Sequence, residues 1–92
     1  MADIQTVRAH NKNEIYLRSQ LERIAEDLRK KYQIRSNFGE NEVRISGSIV
    51  NNGTVSWTPD TLSIDLNLGL AGKLFKSQIK KEIERTVDQI VA

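Results

Sequence analysis

The chain has 92 residues, 38% hydrophobic and 28% charged, and its 14 lysines and arginines against 12 aspartates and glutamates leave a formal charge of +2. That length suits one domain, residues 1–92, around one core, and so small a charge excludes a strong steering field toward nucleic acid. The lack of cysteine excludes disulfides, thiolate metal sites and thiol nucleophiles, and fits a reducing cytoplasm.

The opening MADIQTVRAH is too polar for a signal peptide, and no apolar run approaches the ~20 residues of a transmembrane helix, so the expectation is a soluble cytoplasmic protein with no transmembrane segment. Residues 3–9, with Ile4 and Val7, predict a short strand. A helix follows to about Lys31. Asn11 and Glu14 have capping-box spacing, and Leu17, Leu21, Ile24, Ala25, Leu28 and Tyr32 recur at three and four. Glu14 with Arg18, Glu26 with Lys30, and Asp27 with Lys31 stand four apart in the favourable order, and Arg29, Lys30 and Lys31 suit a helix C-terminus.

Ile34 and Phe38 share parity in a second short strand, closed by Gly39-Glu40-Asn41. From Val43 to Leu68 the pattern is a meander. Val43, Ile45 and Ile49 alternate with polar residues around Gly47, Asn51-Asn52-Gly53 reads as a turn into Val55 and Trp57, and Thr58-Pro59-Asp60 reverses the chain again. Leu62, Ile64, Leu66 and Leu68 then alternate with Ser63, Asp65 and Asn67. Gly69 and Gly72 make a loose joint before a second amphipathic helix, whose stripe is Ala71, Phe75, Ile79, Ile83, Val87 and Ile90. The fold class predicted is α+β, an antiparallel sheet of four to five strands in the order β-α-β-β-β-β-α, with two helices packed on one face.

Candidate chemistry is sparse. His10 is the single histidine, without neighbours that would complete a metal set, and suits a turn or capping role. The carboxylate pairs Glu40 with Glu42 and Asp60 with Asp65 fall in turns and on a solvated strand face, where paired acids stay ordinary. Gly69-Leu70-Ala71-Gly72-Lys73 lacks the Walker spacing and its Lys-Ser/Thr ending. Trp57 shares parity with Val55 and belongs to the core. No catalytic, cofactor-binding or metal residue is assigned, and the protein is read as no enzyme. Lys73, Lys76 and Lys80 line one flank of the last helix, either as a solvated edge or as a contact for anionic lipid or nucleic acid. Leu70 and Leu74 project off the apolar stripe, with Lys81 on the same flank. Two readings are balanced for these leucines: they fold over the end of the sheet or under the first strand, or they form an exposed contact for a partner chain, a second copy or another surface.

Several short pieces together resemble the bacterial family of polyhydroxyalkanoic acid system proteins, also called the polyhydroxyalkanoate granule region family. They are Ile4 and His10, Ala25-x-x-Leu28-x-x-x-Tyr32, Gly53-x-Val55, Leu68-Gly69-x-Ala71, Lys76-x-x-Ile79-x-x-x-Ile83 and Val87-Asp88, spread over nearly the whole chain. The sequence departs from the family pattern at Gln33, where the family carries glycine, at Phe38, where it carries tryptophan, and at Glu40-Asn41, where it carries a Gly-Asp turn. The resemblance implies a cytoplasmic, non-enzymatic accessory protein of polyester storage, acting at the polyhydroxyalkanoate granule surface or on a granule-associated protein. It also makes the polyester one of the surfaces that Leu70, Leu74 and Lys81 would meet. Two other classes are weighed beside it. One is a helix-grip-like carrier with a hydrophobic ligand between sheet and last helix. The weaker one is a nucleic-acid module on the polar sheet face, where Arg44 is the clear cation and no aromatic platform exists.

Overall fold

The computed structural model of the protein describes residues 2–92. Its elements are β1 (Ile4–Ala9), α1 (Glu14–Tyr32), β2 (Arg35–Phe38), β3 (Glu42–Ser46), β4 (Val50–Trp57), β5 (Thr61–Leu68), α2 (Leu70–Leu74) and α3 (Lys76–Val91). The strands form one antiparallel sheet in the order β1-β5-β4-β3-β2. The α+β architecture is therefore as predicted, with five strands, while the last helix is divided in two.

One face of the sheet carries the core. β5 alternates perfectly, with Leu62, Ile64, Leu66 and Leu68 buried and Thr61, Ser63, Asp65 and Asn67 turned outward. Its inward residues meet Ile4 of β1, Val43 of β3, Val50, Val55 and Trp57 of β4, Leu17 and Leu21 of α1, and Val87 and Ile90 of α3 in one buried cluster. Among the described residues no helix covers the opposite face. The strand register aligns Gln5, Asp65, Thr54, Arg44 and Asn37 across it, with Ser63 beside Ser56 in the next row. Arg35 pairs with Ser46 and so joins Arg44 on this face, which carries two arginines rather than one. Arg44 is engaged by the Glu42 carboxylate at 3.3 Å.

Asn51-Asn52-Gly53 is no turn. All three residues lie inside β4, and the chain reverses earlier, at residues 47–49, where the Gly47 N–H donates to the Val50 carbonyl at 2.7 Å. The pairing of β4 with β5 slips between Val50 and Asn52, so Asn51 is an inserted residue. Such a bulge shifts side-chain parity by one, which is why Val50 and Gly53 both face the core although they are three apart. Gly47 therefore belongs to the turn and Ile49 to its end, not to a strand.

Gly53 has an ordinary φ, so backbone freedom does not explain it. It stands between Leu66 on one side and Ile45 on the other, and a β-carbon there would overlap the Leu66 side chain. Thr58-Pro59-Asp60 does turn, held by the Thr58 hydroxyl accepting from the Asp60 and Thr61 N–H groups at 3.2 and 3.0 Å.

The cap of α1 is Asn13 rather than Asn11, its side-chain oxygen accepting from the Tyr16 N–H at 2.8 Å. The preceding loop is fixed by His10. Its Nδ1 accepts from the Lys12 N–H at 3.1 Å and its Nε2–H donates to the Thr58 carbonyl at 2.8 Å, so the ring serves the turn. Two of the anticipated ion pairs on α1 form, Glu14–Arg18 and Glu26–Lys30, both at 3.9 Å. At the other end Gln33 sits in the left-handed region (φ 57°, ψ 33°), and its N–H returns to the Arg29 carbonyl at 3.0 Å. The position therefore demands the conformation that glycine adopts most readily.

Candidate interaction surface

The strand-to-helix joint after β5 is tight rather than loose. Gly69 has φ −74°, and its N–H donates to the Ile49 carbonyl at 2.9 Å. Gly72 is buried, and a β-carbon on it would overlap that same carbonyl oxygen. On Gly69 a β-carbon would lie 2.8 Å from the Ser48 carbonyl. The two glycines thus let α2 lie directly on the backbone of the β3–β4 turn. Seated on Gly72, the short helix turns its other residues to solvent.

Leu70 and Leu74 are 87% and 81% exposed. They stand four apart on α2 and so share one face of it. Phe75, the residue between α2 and α3, is itself 56% exposed, contrary to its predicted place in the core stripe, and Ala71 is exposed as well. The helix breaks at Phe75, and with Gly72 seated on the Ile49 carbonyl the residues around it in α2 turn away from the core. The inward stripe begins at Ile79 and continues through Ile83, Val87 and Ile90. Periodicity alone could not have revealed Phe75, which fits the spacing of that stripe.

Charge on this segment is one-sided. From Leu70 to Lys81 the sequence holds Lys73, Lys76, Lys80 and Lys81 and no acid, so the other residues carry 10 basic and 12 acidic side chains and are net negative. All four lysines are exposed. Lys81 also lines an open groove of about 560 Å³ with Arg8, Glu84, Arg85, Asp88, Gln89 and Ala92, a lining that includes neither leucine. In that groove Arg8 reaches from β1 to α3, donating from Nε to Asp88 at 3.1 Å and from Nη2 to Glu84 at 3.3 Å. The hydrogen bond to Asp88 is the main cause of its raised pKa, and the pairs tie α3 to the sheet.

A second open hollow, of about 400 Å³, lies at the end of the sheet between Lys12, Asn13, Leu17, Asn41, Trp57 and Pro59. Trp57 is 5% exposed, as a core residue should be, and its indole N–H has no partner among the described residues. The Arg18 guanidinium lies 5.5 Å from its ring centroid and donates to the carbonyls of Gly39 and Glu40 at 3.0 and 2.6 Å. Asp60 lies in the β4–β5 turn and Asp65 on the outward row of β5, where its neighbours are Gln5 and Thr54. Among the described residues no three histidine, cysteine or acidic side chains gather as metal ligands would, and no helix is long and apolar enough to cross a membrane.

The model of one protein family, described as "Putative polyhydroxyalkanoic acid system protein", matches residues 4–91. The chain belongs to that family. Membership in this family associates the protein with the polyhydroxyalkanoic acid system. The match runs from β1 to the end of α3 and so includes Leu70, Leu74, Phe75 and the four lysines. No curated protein and no solved structure matches the chain.

Proposed function

We propose that this polyhydroxyalkanoic acid system protein is a non-enzymatic accessory factor that attaches to the surface of polyester storage granules in the cytoplasm through Leu70, Leu74 and Phe75. The observation that carries the reading is the exposure of these three side chains, 87%, 81% and 56%, on a segment whose backbone is held by Gly69 and Gly72. Large apolar groups presented together on a fixed element mark a contact for an apolar phase or partner. Fully burying the two leucines would contribute roughly 3–6 kcal/mol before the cost of association, which suits weak, reversible attachment.

Fractionation of polymer-accumulating cells tests this. The parent protein is expected with the granules, and a Leu70→Ser, Leu74→Ser double variant in the supernatant, folded by circular dichroism; a parent protein found only in the supernatant would overturn the proposal. As a non-enzymatic factor, the protein should keep its cellular phenotype when Glu40, Glu42, Asp60 and Asp65 are replaced singly by their amides, and loss of it in a stably folded amide variant would show that catalysis was missed.

A further inference from the structure

We infer that the surface met by α2 and the first turns of α3 is anionic, and that the segment Leu70–Lys81 binds phospholipid headgroups of net negative charge with its three apolar side chains inserted among the acyl chains. The inference deepens the reading above and rests on its premise that Leu70, Leu74 and Phe75 enter an apolar phase. An apolar phase alone would leave the charge of this segment without a purpose. Four exposed lysines and no acid lie within twelve residues of sequence, while the remainder of the chain is net negative. Exposed apolar residues interleaved with lysines are the composition of segments that lie in a lipid interface, apolar groups at the acyl boundary and ammonium groups at the phosphates.

The start of α3 points the same way. Phe75 gives it no side-chain cap, its first turn holds no acid, and Lys76 is its first residue. Cations at a helix N-terminus oppose the backbone dipole, so this arrangement weakens the free helix and favours an anion brought close to it. Lys73, at the end of α2, adds to the same local field. A phosphate-bearing surface would relieve all of these at once. A second copy meeting the same segment across a two-fold axis would instead bring the same four lysines against one another.

The test is flotation of the purified full chain with large unilamellar vesicles, either phosphatidylcholine alone or an equimolar mixture with phosphatidylglycerol, at low ionic strength. Binding to the phosphatidylglycerol vesicles is expected, with little to phosphatidylcholine alone. Each lysine near an anionic surface is worth about fivefold in partitioning, so Lys76→Gln, Lys80→Gln should bind about 25-fold more weakly. The Leu70→Ser, Leu74→Ser variant should lose about a hundredfold or more, and added salt should weaken the parent as exposed charges are screened. Both pairs of residues are exposed, so the variants keep the fold, which circular dichroism verifies. Equal binding to the two vesicle types, or a lysine variant as tight as the parent, would overturn the inference. So would a homodimer, seen by sedimentation, that the leucine variant abolishes while vesicles remain unbound. A parent that travels with granules in cells yet ignores phosphatidylglycerol vesicles would sink the inference and leave granule attachment standing. Vesicle binding without granule association would do the reverse.

Discussion

Replacing Gly53 by alanine tests whether β4 is placed as described. Gly53 lies opposite Leu66, which is 3% exposed, and beside Ile45; a β-carbon would overlap Leu66 Cδ2 and stand 3.0 Å from Ile45 Cγ1 and 3.2 Å from the Asp65 carbonyl. Overpacking of a core costs ~1–3 kcal/mol, and the loss of glycine's freedom in the unfolded chain returns ~0.4–1 kcal/mol. The net is a destabilisation of about 1–2 kcal/mol, or a Tm lower by about 4–16 °C for a domain of this size. Leu66→Ala alone should cost ~2–5 kcal/mol through the cavity it leaves. In the double variant the offending methyl has room, because Cδ2 is gone, and it fills part of that cavity. The pair should therefore cost less than the sum of the singles by about 1–2 kcal/mol. Urea denaturation followed by the fluorescence of buried Trp57 measures all four proteins. Gly53→Ala as stable as the parent, or costs that add to within ~0.5 kcal/mol, would refute the packing argument and revive a turn at this position.

Three further outcomes follow from the same geometry. Leu66→Asp should abolish the cooperative transition, since the lost burial and an unpaired carboxylate together consume most of a ~5–15 kcal/mol margin, while Ser63→Asp on the outward row should shift stability by no more than ~0.5 kcal/mol; an equal loss from both would void the assignment of faces. Gln33→Gly should raise stability by about 0.5–1 kcal/mol, the left-handed strain relieved less the entropy gained by the unfolded chain, and a lower melting temperature would count against it. Arg29 donates to Glu26 at 2.6 Å, and this hydrogen bond, then its charge, holds the Glu26 carboxyl below the usual carboxylate range. A depressed folded pKa means that the contribution is present above the ordinary carboxylate pKa and fades as pH falls through the folded value. In Arg29→Gln the Glu26 titration, followed by NMR of its carboxyl carbon, should move up, and an unmoved titration would rule the pairing out.

How much of this was legible in the sequence depends on what set each feature. β5 was readable throughout because both its faces are committed, one to the core and one to solvent, so burial and alternation coincide. Leu70 and Leu74 were visible as residues off the stripe. Asn51-Asn52-Gly53 misled because the local turn preference of these residues is real, but here a bulge and the close approach of Leu66 use the same residues for a different end. Asn11 lost the cap to Asn13 because His10 fixes the preceding loop through Lys12 and Thr58, a partner far along the chain. Phe75 and the division of the last helix go with the seating of Gly72 on the β3–β4 turn, and no spacing within the helix records that contact. Gly69 and Gly72 read as slack because glycine signals both looseness and contact, and only the position of the Ile49 carbonyl distinguishes the two.

The place of β1 in the sheet imposes an order in time. β1 is made before its partner β5, Ile4 facing Leu66, while Asp3 accepts the Leu68 N–H at 2.8 Å and Arg8 awaits Glu84 and Asp88 of α3. During synthesis β1 therefore emerges with nothing to pair with, whereas β2 to β5 can zip from neighbour to neighbour through short turns as they appear. Contacts between distant parts of a chain wait on loop closure, and local ones do not. The meander is thus the part able to condense early, with the flank of β5 open and its leucines half covered. β1 returns to close that flank, and α3, made after β5, locks it through Arg8.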